Sequence, residues 1–252
     1  MRRNNGEGCF SRLVSLAMWG GGLIFLILAA REYYPFWMND RNLNNLREQV
    51  VEDRRPGDKR TRNINWKKLK KINPDIIAWI EVSGTKVDYP VLRCHTWNEY
   101  LHKDYKGKNN YLGSIFVQPG TAKDFSDFHT VVFGHNMRNQ SMFGSLHRFE
   151  EKSFYQKHKK VYIYQPHQEI HSEIYSTYHT QDKLSSYQTT FESVNEKKKW
   201  IKNTRKYQLY STKAHPGVKD HVITFSTCDN GRGHTARYVV HTMERKIIRY
   251  AQ

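Results

Sequence analysis

The sequence predicts a mainly β protein, a sandwich or barrel, carried behind an N-terminal apolar segment. Three observations predict it. From Ile76 onward the chain is a series of short apolar runs, "IIAWIEV", "VDYPVL", "GSIFVQ" and "HTVVFGH", separated by Gly, Pro, Asp and Asn. One clear helical stretch, residues 191–210, interrupts them. Residues 13–30, "LVSLAMWGGGLIFLILAA", carry no charge at all.

Taken in order, residues 13–30 are just long enough to span a bilayer as a helix. Arg2, Arg3 and Arg12 precede the run, and Arg31 and Glu32 follow it. The positive-inside rule then places residues 1–12 in the cytoplasm and everything after Arg31 outside. The competing reading is a cleaved signal peptide, but the run is longer than a usual signal core and "LAAREYY" is a poor cleavage site. Tyr33, Tyr34, Phe36 and Trp37 suit the outer membrane interface. Residues 31–62 form a polar juxtamembrane segment in which Leu43, Leu46 and Val50 make a thin apolar stripe. It is either a solvated stalk or a helix packed on the domain, and Pro56-Gly57 is expected to end it.

The domain proper occupies 63–252. "NWKKLKKINPD" (65–75) reads as a short helix stopped before Pro74, and residues 160–180 as a hairpin turning near Gln165–Gln168. In 191–210, Ser193 and Glu196 have capping-box spacing, and Val194, Lys198 and Ile201 mark one face with Trp200 beside it. "HVITFSTC" is a strand, and "ARYVVHTMERKIIRY" a last long one. No internal repeat or low-complexity segment is present.

Bulk composition narrows the partners. Lys plus Arg number 41 against 24 Asp plus Glu, a formal charge of +17. Such a chain attracts polyanions: nucleic acid, anionic lipid or an acidic wall polymer. With the bulk of the chain outside the membrane, nucleic acid drops out. The three cysteines, Cys9, Cys94 and Cys228, are too few for a disulfide-stapled secreted domain, although a Cys94–Cys228 bridge stays open.

The thiol of Cys228 ends a strand just before a turn. It is open to three readings: a small buried hydrophobe, half of a disulfide, or a nucleophile held at a rigid edge. His135, in "VVFGHNM", also sits just past a strand, and a thiol with an imidazole is the basis of nucleophilic cysteine catalysis. Arg237 lies on the strand after the Cys228 strand. If it faces the same side, its charge lowers the thiol pKa or holds an oxyanion. Other chemistries fail. "HQEIH" (167–171) has no Glu in the HExxH place and lies in a hairpin, and there is no Cys-x-x-Cys, phosphate loop or GxSxG. Papain-like proteases place the Cys before the His, the reverse of the order here.

At this point the residues carry a resemblance. "FGHN", then "TFSTC", then an arginine on the next strand, behind an apolar anchor, resemble a sortase of Gram-positive bacteria. "INPDIIAWIEVSGTKVDYPVL", "GHNMRNQSMFGSL" and the helix at 194–206 resemble class B in particular, over about Trp66 to Gln252. No aromatic Asp-Pro lid motif precedes the domain, which argues against the pilin-polymerising class. The resemblance implies a closed β-barrel of about eight strands with flanking helices, the late helix inserted between two strands. It implies Cys228 as nucleophile, His135 as general acid/base and Arg237 as the cation steadying the intermediate or substrate. It further implies Ser226 and Thr227 as groove residues, and it leaves open whether Asp229 orients the imidazole.

The activity so implied is transpeptidation. A secreted protein with a C-terminal NPxTN or xPxTG sorting motif is cleaved through a thioacyl intermediate and joined to a peptidoglycan amine. The expected location is the cell membrane, single-pass, with the catalytic domain extracellular, and no metal or organic cofactor is implied. Two alternatives stand beside this reading: a pilin-polymerising or mainly hydrolytic peptidase on the same fold, and a non-catalytic wall-binding module whose main feature is its charge.

Overall fold

The computed structural model describes residues 6–53, 60–182, 185–229 and 232–250. Helix α1 (Gly6–Val50) is followed by a two-residue pairing of β1 (Val51–Glu52) with β2 (Asn63–Ile64) and by α2 (Trp66–Ile72). The barrel strands are β3 (Ile76–Val82), β4 (Asp88–Arg93), β5 (Ile115–Val117), β6 (His129–Phe133), β7 (Lys160–Tyr164), β8 (Gln168–Gln181), β9 (Val222–Cys228) and β10 (Ala236–Arg249). Short helix α3 (Lys152–Lys157) precedes β7, and α4 (Val194–Lys206) lies between β8 and β9. Two compact units make up the chain, Met1–Asn44 and Asn45–Gln252.

α1 runs without interruption through residues 13–30 and on to Val50. Among the described residues no helix is long and apolar enough to cross a membrane. Residues 13, 14, 16 and 17 of the apolar run lie outside those whose side chains are described. The apolar stripe of residues 31–62 is buried at Leu43, Leu46 and Val50. Within the second unit, Arg47 reaches the Asp88 carboxylate at 2.8 Å, so the end of the helix is docked on β4 rather than solvated. Pro56-Gly57 falls outside the described residues.

The eight strands close into a barrel in the order β10-β8-β7-β3-β4-β5-β6-β9. Neighbours are antiparallel except β4 with β5 and β6 with β9, which run parallel. The expected hairpin is β7–β8, pairing Tyr164 with Glu169 and closed by Gln165 N–H donating to the Gln168 carbonyl at 2.8 Å. "HQEIH" opens its second strand, and no metal-ligand cluster occurs among the described residues. α2 begins at Asn65, whose side chain accepts from Lys68 N–H at 2.9 Å, and stops at Asn73 before Pro74.

The question left open for Cys94 and Cys228 is answered: both are free, Cys94 being buried, so no bridge joins them. One expectation is corrected. The buried face of α4 is Trp200, Ile201 and Thr204, while Val194 is 54% exposed and Lys198 is exposed as well. The helix packs through its second half only, where Trp200 and Ile201 meet Tyr175, Val222 and Met243. Its first turn is held instead by polar caps. Ser193 Oγ accepts from Glu196 N–H, and the Glu196 carboxylate accepts from Glu192 N–H at 2.7 Å, one residue earlier than a capping box requires.

Beneath α4 a buried polar chain crosses four strands. The carbonyl of Gln188 can only accept, so Nδ1 of His129 carries the proton and donates to it at 2.6 Å. Nε2 of His129 then accepts from Thr224 Oγ1–H at 2.7 Å, Thr224 Oγ1 accepts from His241 Nδ1–H at 2.6 Å, and His241 Nε2 accepts from Tyr178 O–H at 2.9 Å. The links from Thr224 to His129 Nε2 and from Tyr178 to His241 Nε2 each require a neutral imidazole. Burial pushes His129 down to about 4, partly offset by its bond to Gln188, and pushes His241 well below its ordinary value. The unfolded chain, with His near 6.5, therefore binds more protons than the folded one between about pH 4 and 6.5. Stability is full above that window and is lost as pH falls through it, His129 alone contributing up to about 3 kcal/mol. Urea unfolding of His129→Asn should show a shallower loss of stability from pH 6.5 to 4 than the wild type. Equal slopes would rule out this account of the buried chain.

Candidate active site

Strand pairing brings the three candidate residues to one end of the barrel. β9 runs antiparallel to β10 with Cys228 directly opposite Arg237, so the two side chains leave the sheet on the same face. On its other edge β9 runs parallel to β6, with Phe133 opposite Ser226 and Gly134 N–H donating to the Ser226 carbonyl at 3.2 Å. His135, just beyond β6, thus comes level with Cys228 at the end of β9. The glycine before His135 is required by space: a Cβ on Gly134 would lie 2.5 Å from Ile115 Cδ1 and 2.8 Å from the Phe143 ring.

His135 is held from two sides. Its carbonyl accepts from Phe143 N–H at 2.9 Å, and its Nε2 lies 2.8 Å from the carbonyl of Leu101. Since a carbonyl only accepts, Nε2 carries a proton, and Nδ1 is the nitrogen left for chemistry. Gly113, at φ +60°, packs where a Cβ would meet the Leu101 carbonyl at 2.3 Å and the His135 ring at 2.9 Å, so a side chain there would break this contact. Burial lowers the His135 pKa, the bond to Leu101 opposes that, and the nearby His102, ring to ring 5.9 Å, lowers it further.

Arg237 has its guanidinium engaged along its inner edge. Nη1 donates to the carbonyls of His234 and Ala236 at 2.9 Å each, and Nη2 donates to Asp182 Oδ2 at 3.3 Å. Among the described residues, Nε–H and one Nη2–H make no further bond. Tyr187 completes this side of the site. Its ring stacks on Phe133 and its hydroxyl pairs with Ser226 Oγ at 2.7 Å. Burial pushes the phenol up to about 12; the bond to Ser226 and the Arg237 charge act in the opposite sense, and Asp182 and Cys228 raise it.

Ser226 and Thr227 are each only 2% exposed. Ser226 shares the face of Cys228, capped by Tyr187, whereas Thr227 points to the opposite face, beside its cross-strand partner Tyr238. Asp229 is buried but does not bond to His135. Its Oδ2 accepts from His179 Nδ1 at 2.7 Å and from Arg232 Nε at 3.1 Å. Asn230, next in the turn, lies outside the described residues. Sequence reasoning missed Tyr187, Asp182, Asn136 and His147. The last two contact the Cys228 carbonyl, at 2.8 and 3.3 Å. None of the four carries a local signal, although Asn136 stands in the quoted "FGHN".

A family model described as "Sortase domain" matches residues 80–245. Sortase B of Staphylococcus aureus is 30% identical over 181 residues, covering 72% of this chain and 73% of the relative. The chain belongs to the class B sortases. Among solved structures, Clostridium perfringens sortase B superposes with a TM-score of 0.68 at 32% identity, covering 72% of this chain and all of that one. A sortase B complexed with triglycine gives a TM-score of 0.68 at 30% identity, covering 74% of this chain and 86% of that one. Like its relatives, this sortase is a cysteine transpeptidase.

The geometry of the sortase His135 sets its titration. An NMR titration should show its midpoint below 6.5, with Nε2 protonated in the neutral form, and a higher midpoint in His102→Gln, where the neighbouring charge is gone. A wild-type midpoint above 6.5 would contradict the dominance of burial.

Proposed function

We propose that this sortase cleaves a C-terminal sorting motif of the NPxTN or xPxTG kind through a thioacyl intermediate on Cys228, and passes the acyl group to a peptidoglycan amine. The observation that carries the reading is the register: Cys228 opposite Arg237 on one side, and His135 level with it on the other.

In the proposed sequence, His135 Nδ1 takes the thiol proton and the sulfur attacks the Thr carbonyl of the motif. The N–H groups of Arg237 not bonded to described residues steady the oxyanion or the substrate backbone. The scissile C–N bond breaks as Nδ1–H returns its proton to the departing amine, leaving a thioester. An amine then attacks, its proton passes to Nδ1, and collapse forms the new amide and restores the thiol. The lowered basicity of His135 suits this cycle, because the imidazole is neutral and ready to accept at neutral pH. Ser226 contributes by holding Tyr187 at the groove wall. Thr227 faces away from Cys228 and supports the strand from its other side. The triglycine bound to the related sortase B favours a short glycine-like amine as acceptor.

On this reading residues 13–30 anchor the enzyme, residues 1–12 lie in the cytoplasm, and the barrel stands outside, where secreted substrate and wall precursor both arrive. The excess positive charge then faces anionic lipid and wall polymer.

The full chain in detergent, given sorting peptides with and without triglycine, tests the chemistry by mass spectrometry of the products. Cys228→Ala should abolish cleavage with the fold intact, and His135→Ala should lose about 10²–10⁴-fold. Arg237→Lys keeps the charge without the planar fork and should lose at least about 10²-fold. Wild-type turnover by the lysine variant would reduce Arg237 to a simple positive charge. For the topology, protease added to intact protoplasts should remove the barrel. A protected barrel, or a mature N-terminus at residues 30–32, would refute the anchor.

A further inference from the structure

The β6–β9 ladder stops before it reaches the residues that matter. Its last backbone rung is Gly134 N–H to the Ser226 carbonyl, at 3.2 Å. In a parallel ladder the rungs are evenly spaced, so the next would run from the N–H of residue 136 to the carbonyl of residue 228. That position is filled by the side chain instead: Asn136 Nδ2 donates to the Cys228 carbonyl at 2.8 Å. The backbone at Asn136 has by then turned to pair with Met142, which lets the loop carry His135 toward Leu101. One amide therefore joins the residue after His135 to the main chain of Cys228.

The amide is itself held. Nδ2 lies 3.1 Å from His147 Nε2, and His147 Nδ1 donates to Glu150 Oε1 at 2.6 Å. His147 Nε2 also lies 3.3 Å from the Cys228 carbonyl, so the imidazole and the amide meet at the same main-chain oxygen. The His147 ring stacks on Tyr238, ring centroids 4.7 Å apart, and Tyr238 lies opposite Thr227 in the register. The supports of the amide thus rest on the same strand pair that carries Cys228 and Arg237.

We propose that Asn136 is a positioning residue: its side-chain amide supplies the missing rung that fixes His135 against Cys228. This rests on the reading of Cys228 and His135 given above. The role is distinct from binding, since Asn136 bonds to enzyme backbone, and distinct from global stability, since the rung lies past the end of the strand. A shift of about 1 Å in a reacting pair costs on the order of 10²-fold in rate.

The test uses the full chain in detergent with triglycine and internally quenched NPxTN and xPxTG peptides, keeping the one that the wild type cleaves fastest. Asn136→Ala removes the amide; Asn136→Leu keeps its shape and removes its donor. Both should lower kcat by about 10–100-fold with KM within about threefold of wild type and the melting temperature within a few degrees. Turnover within about threefold of wild type in both variants, a loss confined to KM, or melting of both below the assay temperature would each overturn the proposal. Cys228→Ala runs alongside: activity retained there would overturn the nucleophile assignment itself, whereas an inactive Cys228→Ala with active Asn136 variants would overturn only the positioning role.

Discussion

The site depends on β9 lying between β6 and β10. One strand edge is parallel and the other antiparallel, and this sets the relation of the three residues without any direct bond between their side chains. Antiparallel register puts Arg237 on the same face as Cys228, and the parallel edge brings the end of β6 level with the end of β9. A slip of one residue on either edge would turn a side chain to the opposite face. The strand interior that prevents such a slip is densely buried, from Val222 to Thr227.

Below the site, that register is reinforced by polar rather than apolar matching. His129 on β6, Thr224 on β9, His241 on β10 and Tyr178 on β8 form one directed chain of hydrogen bonds. Each donor has a single acceptor that fits, so the chain specifies which strands are neighbours more narrowly than interchangeable aliphatic packing does. It also reaches Gln188, and Tyr178 pairs with Ser186, so the segment beginning at Ser185 is held to the barrel. Tyr187, between those two anchors, is thereby placed over Ser226 and beside the Cys228 end of the strand.

The charges at the site are arranged with restraint. Arg237 is not a bare cation but is oriented by Asp182 and two carbonyls, which leaves part of its donor fork in a set direction. Tyr187 beside it is kept neutral by burial. Asp229, one residue from the thiol, is held by His179 on β8 and Arg232 in the turn, away from His135.

Much of the fold was legible because strands and turns announce themselves locally. Apolar runs broken by Gly, Pro and Asp marked the barrel strands, the Gln165–Gln168 turn marked the hairpin, and Asn65 and Pro74 bounded α2. The ordered motifs around His135, Cys228 and Arg237 carried the resemblance to the family, because those residue types just past or on apolar runs are visible in one dimension. The buried face of α4 was misjudged, since period alone does not say which half of a helix meets a core. The free state of Cys94 and Cys228, the partners of Asp229 and the burial of Ser226 and Thr227 were decided only in three dimensions. So were Asn136, His147, Tyr187 and Asp182, which come from separate stretches of chain and carry no periodic signal. Local sequence specifies what each segment can become. The closing of the barrel decides which segments meet, and the hydrogen-bond partners of a buried polar group exist only once they do.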